Sequence, residues 1–235
     1  MNAYADGHPV TERAGYQVET NAFWYNAICF AVDMESRYGS KKSTFVSKWS
    51  GIRDLVKENY QKIFWNDGYG CLADYVDNSG QNMDVRPNQL AALWCEYSPV
   101  DEELAPSILR VIDNELVTSR GLRTLSPRDG KYKGVYEGTQ IARDLAYHQG
   151  STRPFLLEYY IGVCLRVKGA AFVKKAEWLV EGFYEDLGKH GVGAFSELYD
   201  GDPPHEPHGA ISSALSTAAL LSIENMLDKY REKSK

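Results

Sequence analysis

Residues 18–36, VETNAFWYNAICFAVDMES, decide the fold. The helix this stretch predicts is apolar on nearly every side, and such a helix is buried all round. Residues 44–65 differ. There Phe45, Trp49, Ile52, Val56 and Ile63 recur at helical spacing, while Lys48, Arg53, Lys57 and Lys62 take the other face. That is an outer helix with one wet side. The contrast then repeats: residues 87–97 and 154–167 predict buried helices, and 101–118 and 171–188 predict amphipathic ones. The last, 210–232, is apolar until Lys229, Arg231 and Lys233, cations that suit the negative end of a helix dipole. About seven main helices follow, inner and outer in alternation.

The connections carry a second pattern. Residues 1–17, about 66–87, 119–151 and 189–209 are long, rich in Gly, Pro, Asp and His, and each leads into an inner helix. The connections near 36–43, 98–101 and 168–170 are short. Most links in compact domains run about 4–6 residues, and long ones tend to be functional or disordered. Helices that alternate up and down would gather every long connection on one rim. The expected fold is therefore all-α, an α/α toroid of the (α/α)6 type, over a single domain spanning 1–235. A complete toroid has about twelve helices, so this one is expected to be incomplete. An ordinary orthogonal helical domain would also give some alternation.

The 235 residues carry a net charge of −6, which argues against non-specific nucleic-acid binding but suits a neutral ligand. Sixteen Tyr and five Trp offer flat amphipathic surfaces, for core packing or for sugar faces. Cys29, Cys71, Cys95 and Cys164 are scattered, without the spacing of a zinc or redox site, as expected of a protein in a reducing cytoplasm. The five His form no ligand set, so neither metal nor cofactor is expected. MNAYADGHPV lacks an apolar core, so no signal peptide is expected. No run of about 18 apolar residues suggests a membrane span.

Three segments could carry chemistry. In AFSELYDGDPPH, residues 194–205, Glu197 and Asp200 stand three positions apart between aromatics and a rigid Pro-Pro. Glycosidic cleavage needs one carboxylic acid to protonate the leaving oxygen and one carboxylate to activate water or attack carbon. A solvated acidic turn would show the same composition. The start of the chain, DGHPVTER at 6–13, supplies Asp6 and Glu12 on the same expected rim, and Glu19 follows at a helix start. RDLAYHQG at 143–150 offers Arg143, Asp144, Tyr147, His148 and Gln149 to sugar hydroxyls, or else forms a structural ion pair with a packed Tyr. Arg86 and Arg123 sit at loop ends, where they line a pocket or cap helices.

DGHPVTER…YQVETNAFWYNA, VRPNQ, GLRTLSP, Y-x-G-x-Y-x-G, RDLAYHQG and SELYDGDPPH resemble, in the same order, the motifs of glycogen debranching enzymes. The likeness is to their amylo-α-1,6-glucosidase domain, related to glucoamylases, and it covers essentially the whole chain. It implies an (α/α)6 toroid that hydrolyses α-1,6-linked glucose at glycogen branch stubs with inversion. It also implies a general acid in the first motif and a general base in the last. Glu197 matches the base. The acid position falls on Asn2, which has no carboxyl proton, and Asp6 is the nearest substitute. Glu12 stands where Pro is usual, Thr152-Arg153 where a Trp usually precedes Pro154, and Glu206 and His208 where basic residues are usual.

The expectation is an inverting glycosidase in glycogen catabolism, with Glu197 as base, Asp6 opposite it and Asn2 at the acid position. Arg123, Arg143, Asp144, His148, Gln149 and Asp200 would bind glucose, and Tyr147 and Tyr199 would wall the pocket. The partner is a branched α-glucan such as glycogen or a limit dextrin, and an upstream part of the same polypeptide is expected. The alternatives are a non-catalytic glucan-binding fragment and another (α/α)6 glycoside hydrolase.

Overall fold

The computed structural model describes residues 4–40 and 42–233, in two compact units. The second comprises residues 14–83 and 88–108. It holds helices α1 (Val18–Tyr38), α2 (Phe45–Phe64) and the short α3 (Leu90–Trp94). Val18, Ala22, Tyr25, Ile28, Cys29 and Val32 of α1 are buried, and that spacing marks one helical face. Burial all round does not follow. Phe23, Trp24 and Phe30 are about half exposed, because α2 and α3 pack against one side of α1. The Tyr60 and Phe64 rings of α2 lie 4.8 Å apart at a 45° tilt, and the Tyr60 hydroxyl donates to the Val18 carbonyl at 2.9 Å.

The first unit contains most of α4 (Ala105–Glu115), then α5 (Gln140–Gln149), α6 (Leu156–Lys168), α7 (Val173–Tyr184) and α8 (Ala214–Lys233). Helix α8 packs on both α6 and α7, and Leu157, Tyr160, Leu179, Phe183 and Ile223 of these helices are buried. Helix α5 lies inside what the sequence presents as a long loop. Thr139 caps it by accepting the Ala142 N–H at 3.2 Å.

The expectation of an all-α chain needs amending. Strands appear in the long connections, each only two or three residues long. In the first unit five of them form one antiparallel sheet. Its order runs Pro207–His208, Leu198–Tyr199, Thr152–Arg153, Gly121–Arg123, Val117–Thr118. Buried backbone N–H and C=O groups must find partners. Cross-pairing of the connections satisfies them and ties the segments after α4, α5 and α7 together. In the second unit Tyr16–Gln17, Tyr75–Asp77 and Gly80–Asn82 form a three-stranded sheet, and Trp65–Asn66 pairs with Cys71–Leu72. No helix among the described residues is long and apolar enough to cross a membrane.

Candidate active site

Glu197 directly precedes the strand Leu198–Tyr199, and its position is fixed twice by Ala210. Its backbone N–H donates to the Ala210 carbonyl at 3.0 Å, and the Ala210 N–H donates to Glu197 Oε2 at 3.1 Å. The intervening Gly209 has φ +72°, and a Cβ there would come within 2.8 Å of Oε2. Only glycine holds that turn at so close an approach without strain. Behind the loop, the Ser216 hydroxyl of α8 donates to the Ser196 carbonyl at 2.8 Å, and the Ser213 N–H donates to the Phe195 carbonyl at 2.9 Å.

The other oxygen is held by two side chains. The Tyr147 hydroxyl of α5 donates to Oε1 at 2.5 Å, and Arg153 Nη1 donates to the same oxygen at 3.2 Å. The Arg153 guanidinium lies 3.5 Å from the centroid of the Tyr147 ring, a close cation–π contact. A carboxylate offers about four acceptor sites, two on each oxygen. Among the described residues Oε1 is therefore saturated, and one site remains on Oε2. The Glu197 side chain is 31% exposed, whereas Arg153 is only 8% exposed.

Burial pushes the Glu197 carboxyl up, but the donors Tyr147, Ala210 N–H and Arg153 outweigh it and hold the group below its ordinary value. It is ionised at neutral pH. Burial first, and the carboxylate second, raise the Tyr147 hydroxyl, which stays a donor. His148 is pushed down to about 4, chiefly by burial and further by the positive Arg153 and Arg86. It is neutral at pH 7. Tyr4, Tyr136, Asp144, Tyr147 and His148 line a cavity of about 270 Å³. The Tyr147 ring is one wall of it, and the Tyr147 hydroxyl is the link to Glu197.

The remaining predicted residues divide. Asp144 and His148 join Tyr147 at the cavity. Arg143 lies on the same helix, donating to the Gly138 carbonyl at 2.6 Å and to Gln140 Oε1 at 2.9 Å, and Gln140 donates to Asp144 at 2.7 Å. Others hold the scaffold. Gln149 is buried, donating to the Val10 carbonyl at 2.6 Å and accepting Arg86 at 2.5 Å. Arg123 donates to the Gly201 carbonyl at 2.8 Å. Tyr199 is core rather than pocket wall, 1% exposed and edge-on to Phe183 at 6.0 Å, because the antiparallel strand directs it inward. Asp200 is buried too, accepting the Tyr136 N–H at 2.7 Å and facing His208 Nε2 at 3.0 Å.

Asp6 is exposed at the turn of a hairpin that pairs Tyr4–Ala5 with His8–Pro9, with φ +52° beside Gly7 at +75°. Tyr4 of that hairpin lines the cavity. Asn2 lies outside the described residues. Sequence reasoning missed Arg153 as a partner of Glu197, although it flagged the position as a departure. It also named neither Tyr136 nor Gly209 as a site residue, although Tyr136 is the second Tyr of Y-x-G-x-Y-x-G and Gly209 the glycine of PHGA. Among the described residues no group of three or more His, Cys, Asp or Glu could hold a metal ion.

Comparison with known proteins bears on this geometry. A family model described as amylo-alpha-1,6-glucosidase matches residues 1–222. The glycogen debranching enzyme of Saccharomyces cerevisiae is 23% identical over an alignment covering 97% of this chain and 18% of that protein. Neutral trehalase Nth1 of Saccharomyces cerevisiae superposes with a TM-score of 0.66 at 16% identity, covering 92% of this chain and 39% of that one. The GH63 mannosylglycerate hydrolase of Thermus thermophilus gives a TM-score of 0.60 at 13% identity, covering 89% of this chain and 46% of that one. The chain thus spans under a fifth of the debranching enzyme's length and under half of each structural neighbour. At these identities the two structures speak for the fold alone.

Proposed function

The chain belongs to the amylo-alpha-1,6-glucosidase family, and from that premise we propose that it carries the general-base side of an inverting glycosidase site. The substrate is α-1,6-linked glucose on a branched α-glucan, and the architecture is part of an (α/α)6 toroid. The observation that carries this reading is Glu197, an ionised carboxylate with three donors in place and one open acceptor site on Oε2. Water bound there loses a proton to Oε2 as its oxygen attacks the anomeric carbon. The bond to the leaving O6 breaks at the same time, and that oxygen takes a proton from the acid. The sugar emerges with inverted configuration.

Tyr147 and Tyr136 give the sugar a surface, while Asp144 and neutral His148 supply an acceptor and a donor for its hydroxyls. The acid falls to Asp6, in the hairpin whose Tyr4 lines the cavity. Inversion asks for a carboxyl separation of about 6.5–9.5 Å, enough for the water. Glucose release from a branched α-glucan, compared between the wild-type chain and Glu197→Gln, is the test. The reading requires release to fall steeply; undiminished release by the variant removes Glu197 as the base.

A second reading is favoured by Asn2, which puts an amide where the family has its acid. On that reading the chain binds glucan without cleaving it. Retardation in a glycogen gel with no glucose release would establish it.

A further inference from the structure

Arg153 enters the reaction as described only as one of three donors to Glu197, yet the sheet, the Tyr147 ring and the carboxylate all meet at its side chain. Its strand, Thr152–Arg153, is the middle one of the five-stranded sheet, paired with Gly121–Arg123 on one side and Leu198–Tyr199 on the other. The sheet closes tightly there. Gly121 has φ +128°, and a Cβ on it would collide with the Arg153 carbonyl. The side chain is buried, its guanidinium lies over the Tyr147 ring, and its Nη1 reaches Glu197 Oε1.

We propose that Arg153 is a positioning residue for the base: clamped on the face of Tyr147, it fixes Glu197 Oε1 so that the open acceptor site on Oε2 faces the attacking water. This rests on the reading of Glu197 as base. A guanidinium suits the task because it is flat enough to lie on a ring while its edge N–H groups point at a carboxylate. Lysine would keep the charge but lose the stacking plane and the directed edge. Without Arg153, Tyr147 alone would hold Oε1, leaving one donor on each oxygen and a looser carboxylate plane. Among the described residues the groups that hydrogen-bond the Glu197 carboxylate are the Tyr147 hydroxyl, the Arg153 guanidinium and the Ala210 N–H. Loss of the guanidinium also removes one of the influences that keep the carboxyl acidic.

The test combines turnover with a titration that does not depend on turnover. Arg153→Met and Arg153→Lys are compared with the wild-type chain, and Glu197→Gln identifies the Glu197 carbon in a 13C carboxyl titration. The Met variant is expected to titrate Glu197 about one pH unit higher, since an adjacent opposite charge shifts a carboxyl by about 1–3 units. Its kcat should fall at least about tenfold with KM within about twofold, as when an interaction made in the transition state is lost. The Lys variant should regain most of the titration but not the kcat.

An unmoved Glu197 titration together with unchanged kcat in the Met variant, while Glu197→Gln is inactive, overturns the role of Arg153 and leaves the base intact. Undiminished release by Glu197→Gln instead overturns the base reading, and this proposal with it. If circular dichroism shows the Met variant unfolded, the Lys variant decides: a kcat equal to the wild type's contradicts the clamp.

Discussion

The two sides of the proposed site are built very differently. Glu197 sits in a loop fastened at every level: strand pairing on one flank, the Ser216 hydroxyl of α8 and the Ser213 N–H behind, a glycine turn against its carboxylate, and three donors on its oxygens. Asp6 sits exposed on the turn of a two-residue hairpin, in the left-handed region. The first is preorganised, in that donors aimed at a charged group cost nothing to rearrange during reaction. The second has the geometry of a surface turn. A water-activating base must hold one lone pair toward one water, so fixed orientation is what it needs most, and this chain supplies it on the Glu197 side from its own residues.

The largest expected effect breaks the comparison at its strong side. Glu197→Gln keeps shape and loses basicity, and should lower kcat by about 10²–10⁴-fold in initial-rate measurements of glucose release. Asp6→Asn sharpens the weak side: a fall of about 10²-fold is expected if Asp6 gives its proton to the leaving oxygen. Full activity in that variant would move the acid elsewhere.

Gly209→Ala comes next. The φ of +72° costs a Cβ-bearing residue about 1–2 kcal/mol, and the methyl would crowd Oε2. Chemical denaturation should show that loss, with kcat falling too. Tyr147→Phe removes one donor from Oε1 and leaves Arg153. Glu197 should then titrate higher, and kcat should fall several-fold, less than for the base itself, as carboxyl 13C shifts and initial rates would record.

The smallest effect concerns pH. The folded His148 has its pKa pushed down to about 4, and burial lowers His205 as well. Between the ordinary value near 6.5 and the lowered one, the unfolded chain binds more protons than the folded one, so stability falls as pH drops through that window. Thermal melts should show Tm declining there, and His148→Gln should flatten part of the slope.

How legible each part was in the sequence follows from length and from sharing. Helices α1, α2, α6, α7 and α8 span enough turns for the apolar period to appear, and the sequence reading locates them to within a few residues. Helix α5 was hidden because QIARDLAYHQ is polar and reads as loop chemistry, although Thr139 is an ordinary cap. The strands of two or three residues are too short to show alternation, and their partners lie far apart in the chain. Within the site, motif spacing singled out Glu197 and Tyr147, which the structure joins by a hydrogen bond. It could not separate Asp144 and His148, which line the cavity, from Gln149 and Tyr199, which serve the core. That distinction depends on which way each side chain turns in a packed interior. Arg153 was invisible as a partner because the register of Thr152 opposite Tyr199, not sequence distance, brings it to Glu197.

The most direct measurement of the central claim replaces the base and supplies a nucleophile that needs none. With Glu197→Ala, a branched α-glucan and sodium azide, the account predicts that glucose release stays lost while β-glucosyl azide forms, the anion attacking from the face the water would use. An α-configured azide, or glucose release that persists in the variant, would contradict it.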